Sequence, residues 1–349
     1  MTTQRTFDPA WLRCLGTRLL VAVGAPEDEA QIVAEELVEA SLMGLDSHGV
    51  IRLVQYANDA RAGKIRPGAA VVIVRQTPTT AVVDCGLNFG PVTARRMVAI
   101  ASEKARAAGL SCVVSQNGQH VSRLGSYTQQ LAANGLVGLA FANSSRHGHW
   151  VVPWGGRDGR LATNPLSWAV PTHGEPIVMD MSTSMISEGK LRVLRNQGQP
   201  APADAIQDAD GRATTDPNHF YGPPRGTIKP LGGPVGYKGF GLGLLVEIMG
   251  GCLAGNRTSE DLPYVNGLCL LAIDPGPLAG GTSFVGLMDD LAAYVGSSRP
   301  APGSREVVLP GALDFRTRQL RLQTGVPLDE ETWGQLEATA RQLGVPIPV

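Results

Sequence analysis

Apolar residues recur every three to four positions over residues 10–23 and 26–43, where Ile32, Val33, Leu37, Val38 and Leu42 share one side. That period predicts two opening helices, the second entered through Pro26 and the acidic run Glu27-Asp28-Glu29. Gly44 supplies a stop and Asp46-Ser47 a cap, so a third helix is expected over 48–61. Beyond Pro67 the period shortens, and 70–75 and 80–84 have the composition of short strands joined by a Pro-containing turn. A helix over 91–108, a strand over 110–115, a helix over 122–133 and a strand over 136–141 follow. Such alternation implies parallel strands joined by helical crossovers, so the expected fold is α/β with a mixed, largely parallel sheet. Further on, the pattern predicts a strand over 176–180, a helix over 184–194, an aperiodic surface excursion over 196–230 and a long apolar helix over 239–253. A strand over 268–273, a helix over 282–295, a strand over 306–309 and helices over 312–323 and 329–343 complete the chain.

Composition narrows the class of function. Thirty basic residues against thirty-one acidic ones leave a net charge of −1, which gives no global field for nucleic acid or an anionic membrane. Gly and Pro, 43 and 25 of 349 residues, are plentiful but short of the level that marks disorder. The five cysteines, Cys14, Cys85, Cys112, Cys252 and Cys269, form no C-x-x-C pair, which argues for a reducing compartment without a disulfide framework. The chain reaches Pro9 without an apolar stretch of the signal-peptide kind, and no apolar run approaches the roughly eighteen residues of a membrane span, so a cytoplasmic location is expected.

The α/β pattern raises dinucleotide binding, yet G-x-G-x-x-G after a strand is absent, as are a P-loop and G-x-S-x-G. The glycine-rich run 236–243 either approaches a ligand or lets a helix pack closely. His48, Arg52 and Tyr56 lie four residues apart and share one face of the expected third helix. They fit either a proton donor with a carboxylate clamp or a solvated helix face. His120 and Arg123 follow a strand at the sheet edge where open α/β folds bind ligands, and the next helix start there can meet a diphosphate. Asn143-Ser144-Ser145 ends the following strand, with a plain turn as its alternative. His147 and His149 alternate, but no third ligand stands at a metal-site spacing, so no metal is expected. Asp180-Met181-Ser182 is either a helix cap or a ribose contact.

Together, Gly44-Leu-Asp-Ser-His-Gly49, His120 with Gly125, Ala142-Asn-Ser144, Thr163-Asn-Pro165, Asp180-Met-Ser-Thr-Ser184 with Gly189-Lys190, and Leu231-Gly-Gly233 with Tyr237-Lys-Gly-Phe-Gly241 resemble the malate/L-lactate dehydrogenase family of the second, non-Rossmann type. The resemblance spans nearly the whole chain and is nearest to the hydroxycarboxylate dehydrogenase branch. It implies a homodimeric oxidoreductase using NAD or NADP, NAD being favoured, on a small 2-hydroxy or 2-keto acid. It also implies a non-Rossmann cofactor domain over 76–299 and a helical substrate and dimerisation domain built from 1–75 and 300–349. By position, His48 matches the proton donor, Ser47 its hydroxyl partner and His120 an alternative acid/base that also faces the coenzyme. Arg52, Tyr56 and Ser144 match substrate contacts, while Arg123, Asp180, Met181, Ser182, Lys190, Lys238 and Gly239 are the expected coenzyme contacts. Lys190 stands where cyclic-imine reductases of the family place an aspartate, which makes an imine substrate the second choice. A non-catalytic ligand-binding protein of the same fold is a further alternative.

Overall fold

The computed structural model describes residues 4–256 and 265–347. Strand β1 (Gln4–Phe7) leads into helices α1 (Pro9–Ala22), α2 (Glu27–Leu42) and α3 (Arg52–Arg61). Helix α1 is capped by Asp8, whose carboxylate accepts from the Trp11 amide at 2.9 Å. The buried faces of these helices, with Leu12, Leu19, Leu37 and Leu53, form one cluster with Val326, Trp333 and Leu336 from the other end of the chain. Burial of such leucines contributes about 1.5–3 kcal/mol each.

The sheet follows the expected strand–helix alternation: β2 (Val72–Gln76), β3 (Thr80–Asp84), α4 (Gly90–Ala108), β4 (Leu110–Gln116), α5 (Gly125–Ala133), β5 (Val137–Ser144), β6 (Leu166–Val170) and β7 (Ile177–Met181). After α6 (Glu188–Asn196) come the short strands β8 (Ile206–Gln207) and β9 (Ala213–Thr214), α7 (Pro217–Tyr221), β10 (Thr227–Ile228) and α8 (Tyr237–Gly250). Then β11 (Asn266–Ile273), α9 (Phe284–Gly296), α10 (Ala312–Thr324), β12 (Val326–Asp329) and α11 (Glu330–Gln342) close the fold. The central sheet runs in the order β2-β3-β4-β11-β5-β6-β7.

The fold is therefore mixed α/β with helical crossovers. Strands β3 and β4 pair in parallel through α4, and β5 runs the same way after α5. The parallel character is one of direction more than of pairing, because β11 enters between β4 and β5 and runs antiparallel to both. Strands β6 and β7 then add as an antiparallel meander.

Several local expectations change. Residues 46–48 form a turn of 3-10 helix, so α3 begins only at Arg52, after Gly49 has broken the path. The stretch 196–230 is a small folded layer, with Ile206, Phe220 and Ile228 fully buried in a cluster of their own. Residues 306–309 are not a strand. Pro310 and the left-handed Gly311 allow one bond to β7, from the Val178 amide to the Pro310 carbonyl at 3.3 Å. The pairing of β1 with β12, which joins the chain ends, and strand β6 were absent from the expected elements. Residues 237–254 do reach the length and apolarity of a membrane span, with a mean hydropathy of 1.2. That helix instead packs on the sheet, with Gly243, Val246 and Gly250 buried.

Candidate active site

The turn carrying Ser47 and His48 is held against α2 by backbone contact. A Cβ on Gly49 would lie 2.0 Å from Ser41 Oγ, and that hydroxyl accepts from the Val50 amide at 3.1 Å. Ser47 Oγ lies 2.9 Å from His48 Nδ1. Because His48 precedes α3, Arg52 does not sit one helical turn above it. Arg52 folds back instead, donating from Nε to the Ser47 carbonyl at 2.7 Å and from Nη1 to Gln55 at 2.6 Å.

Tyr56, buried in α3, brings in the second histidine: its hydroxyl lies 2.8 Å from His120 Nδ1 and 2.9 Å from the His120 carbonyl. The His48 and His120 rings stack with centroids 5.8 Å apart at 25°. Ser122, in the left-handed region at φ 61°, completes the set. Its amide donates to His120 Nδ1 at 3.3 Å and its hydroxyl to the His48 carbonyl at 2.8 Å. A backbone amide can only donate, so the Ser122 contact fits the tautomer with Nδ1 of His120 as acceptor and the ring proton on Nε2, in which the Tyr56 hydroxyl gives its one proton to Nδ1.

Burial, and then the Arg52 charge, hold His48 down at about 4. Burial lowers His120 as well, with Arg52 and His48 adding to the effect. Two neutral imidazoles therefore face one another at neutral pH, one backed by a hydroxyl and the other by a phenol. Burial pushes the Tyr56 phenol up, so it remains a proton-bearing donor.

A second group of sequence candidates gathers around the ends of β7 and α8. Asp180 Oδ2 accepts from the Gly125 amide at 2.6 Å, so the start of α5 is already capped by a carboxylate. This corrects the picture of an open helix start waiting for a diphosphate, and α5 begins at Gly125, not at residue 122. Burial pushes the Asp180 carboxyl up, partly offset by the Gly125 bond and by Arg123. Arg123 is 4% exposed, its Nη2 donates to Gln129 at 2.5 Å, and its buried Nε has no hydrogen-bond partner. Met181 ends β7 opposite Leu166, and Ser182 Oγ donates to the Ser184 carbonyl at 3.2 Å.

The Leu231 amide donates to the Thr183 carbonyl at 2.9 Å, which lays the glycine-rich turn before α8 against this segment. A Cβ on Gly239 would lie 2.0 Å from the Leu231 carbonyl oxygen, so that glycine serves close packing. Lys238 next to it is exposed. Helix α6 starts against the histidine turn, since a Cβ on Gly189 would lie 3.2 Å from Ser47 Cβ, and this brings Lys190 near it. Ser144 belongs to a different set of contacts, at the end of β5 against Gly148, with a buried hydroxyl that has no hydrogen-bond partner.

His149 Nε2 turns toward the Ser144 carbonyl at 3.2 Å, and the described residues hold no group of three or more metal-ligating side chains. Sequence reasoning missed two groups. Ser122 was not among the expected site residues, since its left-handed backbone is invisible in the residue type. Glu247, 6% exposed, accepts from Asn143 at 3.0 Å and from Asn164 at 2.8 Å, anchoring the end of β5. An acid inside the apolar run of α8 was the available signal.

Residues 7–337 match the family model for malate/L-lactate dehydrogenase. Malate dehydrogenase of Pyrococcus abyssi is 33% identical over 338 residues, covering 94% of this chain and 92% of that protein. Hydroxycarboxylate dehydrogenase B of Escherichia coli strain K12 is 30% identical over 354 residues, covering 99% and 96%. The solved Δ1-piperideine-2-carboxylate reductase of Pseudomonas syringae pathovar tomato superposes with a TM-score of 0.84 at 26% identity, covering 96% of this chain and all of that one. With a hydroxy-acid dehydrogenase relationship of this breadth, the chain belongs to the malate/L-lactate dehydrogenase family.

Proposed function

We propose that this protein transfers hydride between a nicotinamide coenzyme, NAD or NADP with NAD favoured, and a small 2-hydroxy or 2-keto acid. The observation that carries the proposal is the stacked, neutral His48–His120 pair with Arg52 at its side. Oxidation of a hydroxy acid needs a base for the hydroxyl proton, a cation for the carboxylate and a hydride acceptor. His48, with Nδ1 donating to Ser47, presents a free Nε2 lone pair as that base. His120, with its proton on Nε2, donates to the same oxygen and stabilises it as charge develops. Arg52 has its Nη2 edge left for a carboxylate, and its anchoring on Ser47 fixes the clamp relative to the base. Tyr56 and Ser122 are positioning residues that orient the His120 ring and the His48 backbone. Ser144 is the further substrate contact in this reading.

The coenzyme supplies or receives the hydride. The residues present fit such a group: Arg123 buries a cation whose Nε lacks a partner, and Lys190 in α6 and Lys238 beside Gly239 are exposed cations. In the reverse direction His48 returns the proton it has taken. Lys190 beside the Ser47 turn favours a hydroxy or keto acid over a cyclic imine, since it places a cation where a proton relay would need a carboxylate.

We also propose a cytoplasmic homodimer. Its support is two apolar helix faces: α9, a helix of 13 residues with none buried, exposes Leu287, Leu291 and Tyr294, and α8 exposes Leu244, Leu245 and Ile248. Light scattering after size exclusion gives twice the chain mass if this holds, and the chain mass if it does not. The test of the activity is a panel of 2-keto acids mixed with the protein and NADH or NADPH, followed at the nicotinamide absorbance. Oxidation of coenzyme with at least one acid supports the reading, and none with any acid in either direction overturns it.

A further inference from the structure

Outside the histidine pair, a cleft of about 280 Å³ is lined by residues from three separated stretches of chain around Trp150. Four of its side chains are the guanidinium groups of Arg146, Arg157, Arg160 and Arg225. One carboxylate, Asp158, shares the lining, and it is spent on Arg160 at 3.1 Å. In a chain whose total charge is −1, this is a strong local excess of positive charge. Like charges held together without counter-ions repel, so the gathering needs both a physical cause and a use.

The cause is backbone packing. A Cβ on Gly159 would lie 2.3 Å from the His149 carbonyl oxygen, and one on Gly226 would lie 2.3 Å from the Gln207 carbonyl oxygen. Gly159 lets the 157–160 segment close on the 146–150 segment, Gly226 seats the Arg225 segment against β8, and the Thr227 hydroxyl donates to the Arg157 carbonyl at 3.3 Å. Arg225 is also preorganised, with its guanidinium 5.2 Å from the Trp150 ring centroid and 4.7 Å from that of Phe220. Stacking of this kind fixes a guanidinium while leaving its N–H edge unspent.

We propose that this cleft is a binding site for a phosphate group, free or as a monoester. The forked donors of several arginines match the oxygens of a dianion bidentately, and the volume suits one such group and a short attachment. A cleft of this size takes one such group and not a nucleic-acid strand, which needs a long basic track that a chain of net charge −1 does not supply. The site does not depend on the proposed dehydrogenase activity, so its failure and the failure of that reading are separable.

Calorimetric titration of the whole protein with inorganic phosphate, at constant ionic strength set with chloride, tests the site. The expected result is saturable binding in the millimolar range or tighter, weakened about tenfold or more in Arg157→Ala and in Arg225→Ala. Arg146→Ala serves as a further variant on an exposed side chain, and an unchanged melting temperature separates lost binding from lost fold. Absence of heat up to about 10 mM phosphate, or equal binding by wild type and all three variants, would overturn the proposal. Titration in the presence of NADPH or NADH identifies the source. Phosphate excluded by NADPH but not by NADH marks the cleft as the seat of the coenzyme's own phosphate, and phosphate binding alongside both marks a site for a separate phosphorylated ligand.

Discussion

The two histidines and the four arginines are both clusters of nitrogen groups, and they are held in opposite ways. His48 and His120 lie half-buried between the α1–α3 layer and the sheet, where desolvation and the Arg52 charge lower their proton affinity and contacts with Ser47, Tyr56 and Ser122 hold both rings. The arginines stand at the surface, where solvation keeps them charged, and only Arg225 is fixed by aromatic rings. Burial thus suits proton transfer, because a neutral base is ready to accept, while exposure suits holding an anion. Arg52 is the exception that joins the two modes: it is a cation beside the neutral pair, and it is one reason the pair is neutral.

The comparison breaks most sharply at His48. His48→Ala is expected to lower turnover by roughly two to four orders of magnitude with coenzyme affinity nearly intact, measured by steady-state rates and coenzyme fluorescence titration. Exchanging Arg52 for lysine keeps the charge and loses the fork, so KM for a 2-keto acid should rise by about ten- to a hundredfold while kcat changes little. Tyr56→Phe removes the phenol that holds His120, and kcat should fall by about tenfold with little change in KM. For Lys238→Ala, coenzyme binding should weaken severalfold with substrate KM unmoved; if neither constant moves, the glycine-rich turn serves packing alone.

A stability measurement sharpens the same contrast. His48 binds its proton at about 4 in the folded protein and near 6.5 when unfolded. Between those values the unfolded chain holds more protons, so stability falls as pH drops from 6.5 toward 4. Denaturant titrations should show a shallower acid loss in His48→Gln than in wild type.

Much of this was visible in the sequence because burial follows periodicity. The opening helices, the β3–α4–β4–α5–β5 unit and the long apolar α8 fall within a few residues of their expected limits. What periodicity cannot see is a partner distant in the chain: β11 inserting between β4 and β5, or β1 meeting β12. At the site, the Asp46–Arg52 segment was legible as polar residues at a helix start, but its shape was not. The contact of Gly49 with Ser41 replaces the first helical turn by a 3-10 turn, which moves Arg52 from the ring of His48 to the carbonyl of Ser47. Asp180 was legible as a cap but not as the cap of α5, 55 residues earlier. Stacking of His48 on His120 depends on the left-handed Ser122, a conformation that serine does not advertise.

The most direct test of the account is the pH dependence of kcat/KM for oxidation of the best hydroxy acid found in the panel, since that parameter reports the free enzyme's base. With neutral His48 as the base, the rate should hold from neutral pH down to about 5 and fall as His48 protonates near 4. A fall centred at 6 to 7, the range of an unburied imidazole, would contradict a base held neutral by burial and Arg52.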